Sequence, residues 1–90
     1  YMNQKKIGKR ISERRKIKNL TQQELANELN VTNRTIINWE SGKCLPDYSL
    51  LLPLCKELDI SINELLTGEE DKEQKTNATI ELILDYIKVV

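Results

Sequence analysis

The chain has 90 residues, of which 39% are hydrophobic and 31% are charged, a balance that predicts one soluble domain with a small core. It contains no histidine and only two cysteines, Cys44 and Cys55, whose spacing fits neither a zinc site nor a disulfide framework. We therefore expect reduced thiols in the cytoplasm and no metal ion or other cofactor. No segment approaches the ~20 apolar residues that cross a bilayer, which argues against a membrane protein.

The formal net charge of zero hides an uneven distribution of charge along the chain. Residues 1–20 contain eight basic residues and one acidic residue, a net charge of +7, whereas residues 68–90 contain three basic and six acidic residues, a net charge of −3. Such a separation favours an anionic partner for the N-terminal part more than the total charge would suggest. The alternative is that the basic residues only keep the outer face of the first helix in water.

Three helices are predicted in the first half of the chain. Apolar residues at helical spacing predict helix 1 over residues 3–18. Thr21 and Glu24 have the spacing of a capping box, which predicts the start of helix 2. Asn30 tolerates the left-handed conformation that ends a helix, and Thr32 is the predicted N-cap of helix 3. Two short helices are thus separated by a very tight turn, so each must be held against the other.

Two further helices are predicted before Gly68. Helix 4 begins near Asp47 or Ser49, although a proline close to its start leaves this boundary open. Ser61 and Glu64 repeat the capping-box spacing and predict the start of a short helix 5. Gly68 then ends the unit formed by residues 1–68.

The C-terminal part divides into a polar segment and an apolar segment. Residues 69–77 are charged and lack apolar anchors, which predicts a linker. Residues 78–90 are predicted to form a helix with more apolar surface than a single exposed helix should carry. Its stripe comprises Ile80, Ile83, Leu84 and Ile87, and Leu82, Tyr86, Val89 and Val90 widen the apolar surface.

Four motifs in order resemble the helix-turn-helix domain of the lambda-repressor/Cro-like family, also called the xenobiotic-response-element (XRE) family of transcriptional regulators. They are LTQQELA, V-T-x-R-T-I-x-x-W-E-x-G-K, P-x-x-x-x-L-x-x-L and I-S-x-x-E-L-L, and the resemblance that rests on them covers residues 5–67. The resemblance implies an all-α fold with a compact five-helix DNA-binding domain. It also implies that residues 33–40 form the recognition helix, which lies in the major groove of double-stranded DNA.

The resemblance implies roles for individual side chains. The predicted base contacts are Asn33, Arg34, Asn38, Gln22, Thr35 and Ile37. The predicted phosphate contacts are Thr21, Thr32, Ser41 and Lys43. Arginine can pair with guanine and asparagine with adenine, which fits the first three residues. Ile37 departs from the family pattern, which usually has a small or polar residue at this position. An isoleucine here either packs on a thymine methyl group or covers the edge of the core. Gln22 is expected to contact the DNA backbone or an outer base.

Two arginines of helix 1 are also interpreted through the resemblance. Arg15 and Glu40 match a structural ion pair that braces the recognition helix. Arg14 stands where the family more often has an apolar residue, so we expect its stem to cover the core while its guanidinium reaches solvent or phosphate.

The sequence therefore predicts a cytoplasmic DNA-binding regulator, a repressor that reads a palindromic operator as a homodimer. The alternative is an antitoxin or adaptor that holds a protein partner through residues 78–90. Two surfaces are candidates for the dimer interface, namely the neighbourhood of Ile62 and Leu66 on helix 5, and the apolar C-terminal segment. Alternatively, residues 78–90 pack on their own domain, insert into a partner or are the start of a longer C-terminal region. An enzyme is not expected, because the chain lacks histidine, a Gly-rich phosphate loop and a nucleophile beside a base.

Overall fold

A computed structural model describes residues 3–69 and 76–90 of the chain. Within these residues the protein consists of helices joined by turns, which confirms the predicted all-α fold. The helices are α1 (Gln4–Ile17), α2 (Gln22–Leu29), α3 (Asn33–Glu40), α4 (Tyr48–Leu58), α5 (Ile62–Thr67) and α6 (Thr76–Val89). In this part of the chain no helix combines the length and the apolar character needed to cross a membrane.

The tight α2–α3 connection is built from the local signals in the sequence. The Thr21 hydroxyl accepts a hydrogen bond from the Glu24 amide at 3.0 Å, and the Glu24 carboxylate accepts one from the Thr21 amide at 2.9 Å. Asn30 ends α2 in the left-handed region with φ +57°. Thr32 then caps α3 by accepting a hydrogen bond from the Thr35 amide at 3.2 Å. These contacts satisfy helix-end groups that would otherwise lack partners.

Side-chain caps also fix the starts of α4 and α5. The Asp47 carboxylate accepts a hydrogen bond from the Ser49 amide at 3.2 Å, so α4 begins directly after Asp47. Pro53 lies inside α4 rather than at its start. The Ser61 hydroxyl accepts a hydrogen bond from the Glu64 amide at 3.0 Å and begins α5.

The hydrophobic core lies where all six helices meet. Its fully or nearly fully buried side chains are Ile7, Ile11, Leu25, Ala26, Leu29, Ile36, Trp39, Leu51, Leu54, Cys55, Leu58, Leu65, Leu66 and Tyr86. The α2–α3 pair packs on α1, and α4 and α5 close the other side. Helix α3 is therefore supported by α1 and by α2.

Helix α6 is part of this domain rather than a separate appendage. Tyr86 is completely buried, its hydroxyl donates a hydrogen bond to the Pro46 carbonyl, and Leu82 packs partly against the core. The sequence predicts Tyr86 only as part of the apolar surface of this helix, and the folded chain shows that Tyr86 lies on the side that the domain covers. Most of the linker predicted over residues 69–77 lies outside the described residues, and α6 begins at Thr76.

The structure uses part of one of the two surfaces considered for a dimer interface. Leu66 is only 1% exposed, and Ile62 packs partly against the core. Helix α6 covers part of α5. The α5 surface around these two residues is therefore largely used within one copy of the chain.

Two arginines of α1 cap other helices. The Arg10 guanidinium donates to the Leu65 carbonyl at 2.9 Å, at the end of α5. The Arg14 guanidinium donates to the Leu58 carbonyl at 3.1 Å and to the Asp59 carbonyl at 2.8 Å, at the end of α4. A positive charge is favoured at these carbonyl-rich ends. The Arg14 guanidinium is therefore held at the end of α4, a contact that the expectation of solvent or phosphate did not include.

Candidate nucleic-acid interface

Helix α3 has one face in the core and one face turned away from it. Ile36 and Trp39 are buried, whereas Arg34 is exposed and Asn38 is half-buried. Successive helical residues turn by about 100°, so Arg34 and Asn38, four positions apart, project together from the middle of the outward face. This places a guanidinium beside a carboxamide, the two groups that pair in a forked geometry with guanine and adenine.

The polar side chains of this face are not used by the protein itself. Asn33, Arg34 and Asn38 have no side-chain hydrogen bond or ion pair within residues 3–69 and 76–90. In the same part of the chain every buried side-chain polar atom has a partner. The outward side of α3 therefore carries side-chain donors and acceptors without a partner in the described residues, where an external ligand can reach them.

Thr32, Thr35 and Ile37 complete this face. The Thr32 hydroxyl serves as the N-cap of α3, and its oxygen lies 2.9 Å from the Thr35 hydroxyl oxygen. Ile37 is half-buried but is not one of the partly buried side chains that pack against the core. Of the two readings of Ile37, covering the core edge therefore has no support in the packing.

A nearly buried ion pair holds the C-terminal end of α3 against α1. The Arg15 Nε lies 2.6 Å from Glu40 Oε2, and Nη2 lies 3.1 Å from Oε1. The two side chains are only 10% and 8% exposed. Arg15 Nη1 also donates to the Leu20 carbonyl at 2.8 Å. This geometry fixes both planar groups and leaves the end of α3 little freedom to tilt.

Gln22 joins this ion pair, a contact that the sequence analysis did not anticipate. Its Nε2 donates to Glu40 Oε1 at 3.1 Å, so the start of α2 is tied to the end of α3. Thr21 precedes Gln22 and Ser41 follows Glu40, so this one hydrogen bond brings two of the four predicted phosphate contacts toward a common edge. Both Thr21 and Ser41 are exposed.

The loop after α3 presents the remaining predicted phosphate contact. Gly42 has φ +80°, a backbone conformation that residues other than glycine rarely adopt, and it turns the chain away from α3. Lys43 follows and is exposed. A Cβ atom at Gly42 would lie 2.8 Å from Lys5 Cγ. Lys5, which the sequence analysis did not single out, is thereby placed beside the loop that carries Lys43.

Gly8 allows the close approach of α1 and α3 and was also missed. A Cβ atom at this position would lie 2.3 Å from the Trp39 carbonyl oxygen and 2.9 Å from that of Glu40. Glycine inside a helix costs about 1 kcal/mol relative to alanine, so its occurrence within the apolar pattern of α1 was a usable signal. Its position shows that the end of α3 lies directly on the α1 backbone.

The basic charge of the N-terminal part divides into structural and exposed groups. Arg10, Arg14 and Arg15 bind carbonyl or carboxylate groups of the protein. The exposed basic residues of the same part are Lys5, Lys6, Lys9, Lys16 and Lys18. Within the described residues only Arg15 of these arginines is paired with a carboxylate, and of the exposed lysines Lys5 lies beside the loop that follows α3.

The described residues offer little support for other kinds of site. Cys44 is exposed and Cys55 is buried, and burial raises the pKa of the Cys55 thiol to about 12. Between α4 and α5 lies an open groove of about 500 Å³ lined in part by Leu52, Lys56 and Ile60. No group of three or more potential metal ligands occurs in the part of the chain that the structure describes.

Comparison with known proteins gives a consistent result. Residues 8–71 match the family described as "Helix-turn-helix domain". The chain is 36% identical over 84 residues to the HTH-type transcriptional activator BcrR of Enterococcus faecalis. This aligned region covers 90% of this chain and 41% of BcrR. It is 34% identical over 86 residues to the HTH-type transcriptional regulator ImmR of Bacillus subtilis, covering 91% of this chain and 68% of ImmR.

A third relative is a repressor by name. The chain is 37% identical over 60 residues to the cryptic phage CTXphi transcriptional repressor RstR of Vibrio cholerae, covering 67% of this chain and 54% of RstR. The chain thus spans about half the length of several curated relatives that it matches.

Proposed function

Because the chain belongs to the XRE-type helix-turn-helix family of transcriptional regulators, we propose that it binds an operator in a sequence-specific manner. In this proposal two copies read the halves of a palindromic site in the cytoplasm, and occupancy of the site represses transcription. Members of this family act by binding DNA rather than by catalysis, so no reaction is assigned to the chain.

The observation that carries this proposal is the unpaired polar face of α3. Arg34 and Asn38 project side by side from a helix whose other face is buried, and neither side chain has a partner within the protein as described. Such a pair can form forked hydrogen bonds to two successive base edges in the major groove. Each correct forked contact distinguishes the right base from the wrong one by about 1–3 kcal/mol.

The surroundings of α3 suit a helix that contacts bases in the major groove. The Arg15–Glu40 ion pair and the hydrogen bond from Gln22 fix the end of the helix before DNA arrives. Rigid placement lowers the entropy cost of binding. Exposed hydroxyls and Lys43 flank the helix at positions suited to phosphates, which set register without reading sequence. The exposed lysines of α1 attract DNA in a salt-dependent manner.

Repression is proposed because it requires only occupancy of the operator. Activation needs an additional surface that holds the transcription machinery, and the α3 face alone does not provide one. The relatives include both an activator and a repressor by name. In vitro transcription from a promoter that contains the selected site tests the sign: we expect a decrease in transcript as protein is added, and an increase would overturn this part of the proposal.

DNA selection from a random duplex pool is the direct test of the function. We expect enrichment of an inverted repeat that binds roughly a thousandfold more tightly than a scrambled duplex. Arg34→Ala is expected to lose discrimination at one base position per half-site. Glu28→Ala, which removes an exposed carboxylate on α2, serves as the control and should retain discrimination. Absence of enrichment, with only weak salt-sensitive binding, would contradict the proposal.

A second candidate function is favoured by the exposed apolar residues of α6. Ile80, Leu84 and Ile87 are each about half exposed, which suits an adaptor or antitoxin that holds another protein. This candidate predicts that substitutions on α6 abolish binding of the other protein, while DNA selection yields no enriched site. Enrichment of a specific operator by the isolated chain would leave DNA binding as the primary function.

A further inference from the structure

The outer face of α6 carries an apolar stripe that its own domain leaves uncovered. We define the α6 stripe as Ile80, Leu84 and Ile87, with exposed fractions of 49%, 54% and 48%. Tyr86 lies buried on the opposite side of the same helix. Exposed apolar patches bordered by polar residues typically mark interaction sites. We propose that a second copy of the chain covers the α6 stripe in an antiparallel two-fold pair; this rests on the dimer in the proposed function and specifies its interface.

The charges beside the stripe favour a second copy over an unrelated protein. Glu81 and Lys88 are both exposed and lie two helical turns apart, so they share one flank of the stripe at a separation of about 10 Å. In an antiparallel pair with its two-fold axis level with Leu84, each Glu81 faces Lys88 of the other copy. The same two-fold rotation places Leu84 against Leu84 of the other copy and places Ile80 close to Ile87 of the other copy.

A parallel pair does not give this complementarity. Its two-fold axis runs along the helices, so the charged flank of each copy faces the apolar flank of the other. Glu81 would then lie against apolar side chains without an opposite charge. The spacing of one acid and one base on the same flank therefore selects the antiparallel arrangement.

The remaining surfaces agree with this assignment. On the other candidate interface, on α5, Leu66 is buried within one copy and is therefore not available to a partner. Helices α3 and α6 are supported by different parts of the domain, since α3 packs on α1 and α2 whereas α6 packs on α5. Pairing through α6 thus leaves the outward face of α3 accessible to DNA in both copies.

The size of the stripe sets the expected strength of the pair. Contact between the two half-exposed stripes buries less accessible surface than the roughly 1,200 Å² at the lower end of stable protein–protein interfaces. We therefore expect a dimer that forms at roughly micromolar protein concentrations and dissociates on dilution. An inverted-repeat operator strengthens it by holding two copies at a high effective concentration.

Sedimentation of the full chain without DNA tests the interface. We expect Leu84→Lys to raise the dimer dissociation constant by at least about tenfold. Leu52→Lys is the matched control, because Leu52 is also a helical leucine that is 54% exposed, but on α4. Circular dichroism checks that both variants remain folded. A chain cut after Gly68 is unsuitable because the cut also removes the buried Tyr86. Equal effects of the two substitutions, or a wild-type chain that stays monomeric at high concentration, would overturn the proposal.

Charge reversal tests the antiparallel register. Glu81→Lys and Lys88→Glu should each weaken association, because like charges then face each other. Combining both reversals in one chain, or mixing the two single variants in equal amounts, should restore association toward the wild-type value. Restoration is specific to a two-fold antiparallel pair, so its absence would refute the register.

DNA binding separates failure of the interface from failure of the proposed function. On duplexes obtained from the random pool, Leu84→Lys should bind a single half-site like the wild type and lose the gain in affinity on an inverted repeat. If the pool yields no specific duplex while the sedimentation pattern holds, the interface stands and the proposed function fails. If the variant keeps the full gain on the inverted repeat, the interface is wrong and the function stands.

Discussion

Removal of the Glu40 carboxylate tests whether the recognition helix is braced before it meets DNA. In Glu40→Ala, the nearly buried Arg15 guanidinium keeps its hydrogen bond to the Leu20 carbonyl but loses its counterion and both charged contacts. Breaking a buried pair in this way costs about 3 kcal/mol or more. For a domain of this size each kcal/mol corresponds to about 4–8 °C, so we expect Tm to fall by roughly 12–24 °C.

Differential scanning calorimetry measures this loss, and two further variants define its origin. Glu28→Ala removes an exposed carboxylate and should change stability by no more than about 0.5 kcal/mol. Replacing both partners, as in Arg15→Met with Glu40→Leu, should recover much of the stability, because no unpaired charge is then buried. Affinity for the selected operator, measured well below the Tm of each variant, should fall in Glu40→Ala and stay constant in Glu28→Ala. A Glu40→Ala protein that melts like Glu28→Ala would refute the brace.

Three other outcomes follow from the same geometry. Gly8→Ala should lower the free energy of unfolding by about 1–3 kcal/mol in urea titrations, since the added methyl group meets backbone oxygens of α3; a stabilised variant would contradict the contact. Asn38→Ala should cost about 1–3 kcal/mol at one base position, whereas Lys43→Ala should weaken all sequences alike and reduce the salt slope by about 1; the reverse pattern would exchange their roles. A thiol reagent at neutral pH should modify Cys44 but not Cys55, whose buried thiol has a pKa of about 12 and therefore stays protonated, and denaturant should expose both; rapid modification of two thiols in the folded protein would show that the core is open.

The features that could be predicted from the sequence are those set by residues close together in the chain. The capping box of Thr21 and Glu24, the left-handed Asn30 and the N-cap Thr32 each act over a few positions, so they mark helix ends without knowledge of the tertiary fold. Together they fixed the α2–α3 turn. The buried and outward faces of α3 then followed from helical periodicity.

The features that were missed depend on contacts between distant parts of the chain. Arg14 looks like a surface charge until the end of α4 is placed beside it, 44 residues away. Gly8 reveals its role only where the α3 carbonyls approach it. Periodicity identified the apolar residues of α6 but not which of them face inward, because that depends on what the helix packs against. The proposed site was therefore easier to predict than the packing that supports it.

The burial of Tyr86 has a consequence for the order in which the protein is made. The Tyr86 hydroxyl donates a hydrogen bond to the Pro46 carbonyl, 40 residues earlier in the chain. This contact between α6 and the segment before α4 therefore forms only after α6 has been synthesised. At about 5–20 residues per second, a ribosome needs roughly one to four seconds to pass from Gly68 to Tyr86. Until α6 has packed on the domain, the part of the core beside Tyr86 stays open to water. Any pause in translation there lengthens the time in which the nascent chain is exposed to chaperones, proteases and aggregation.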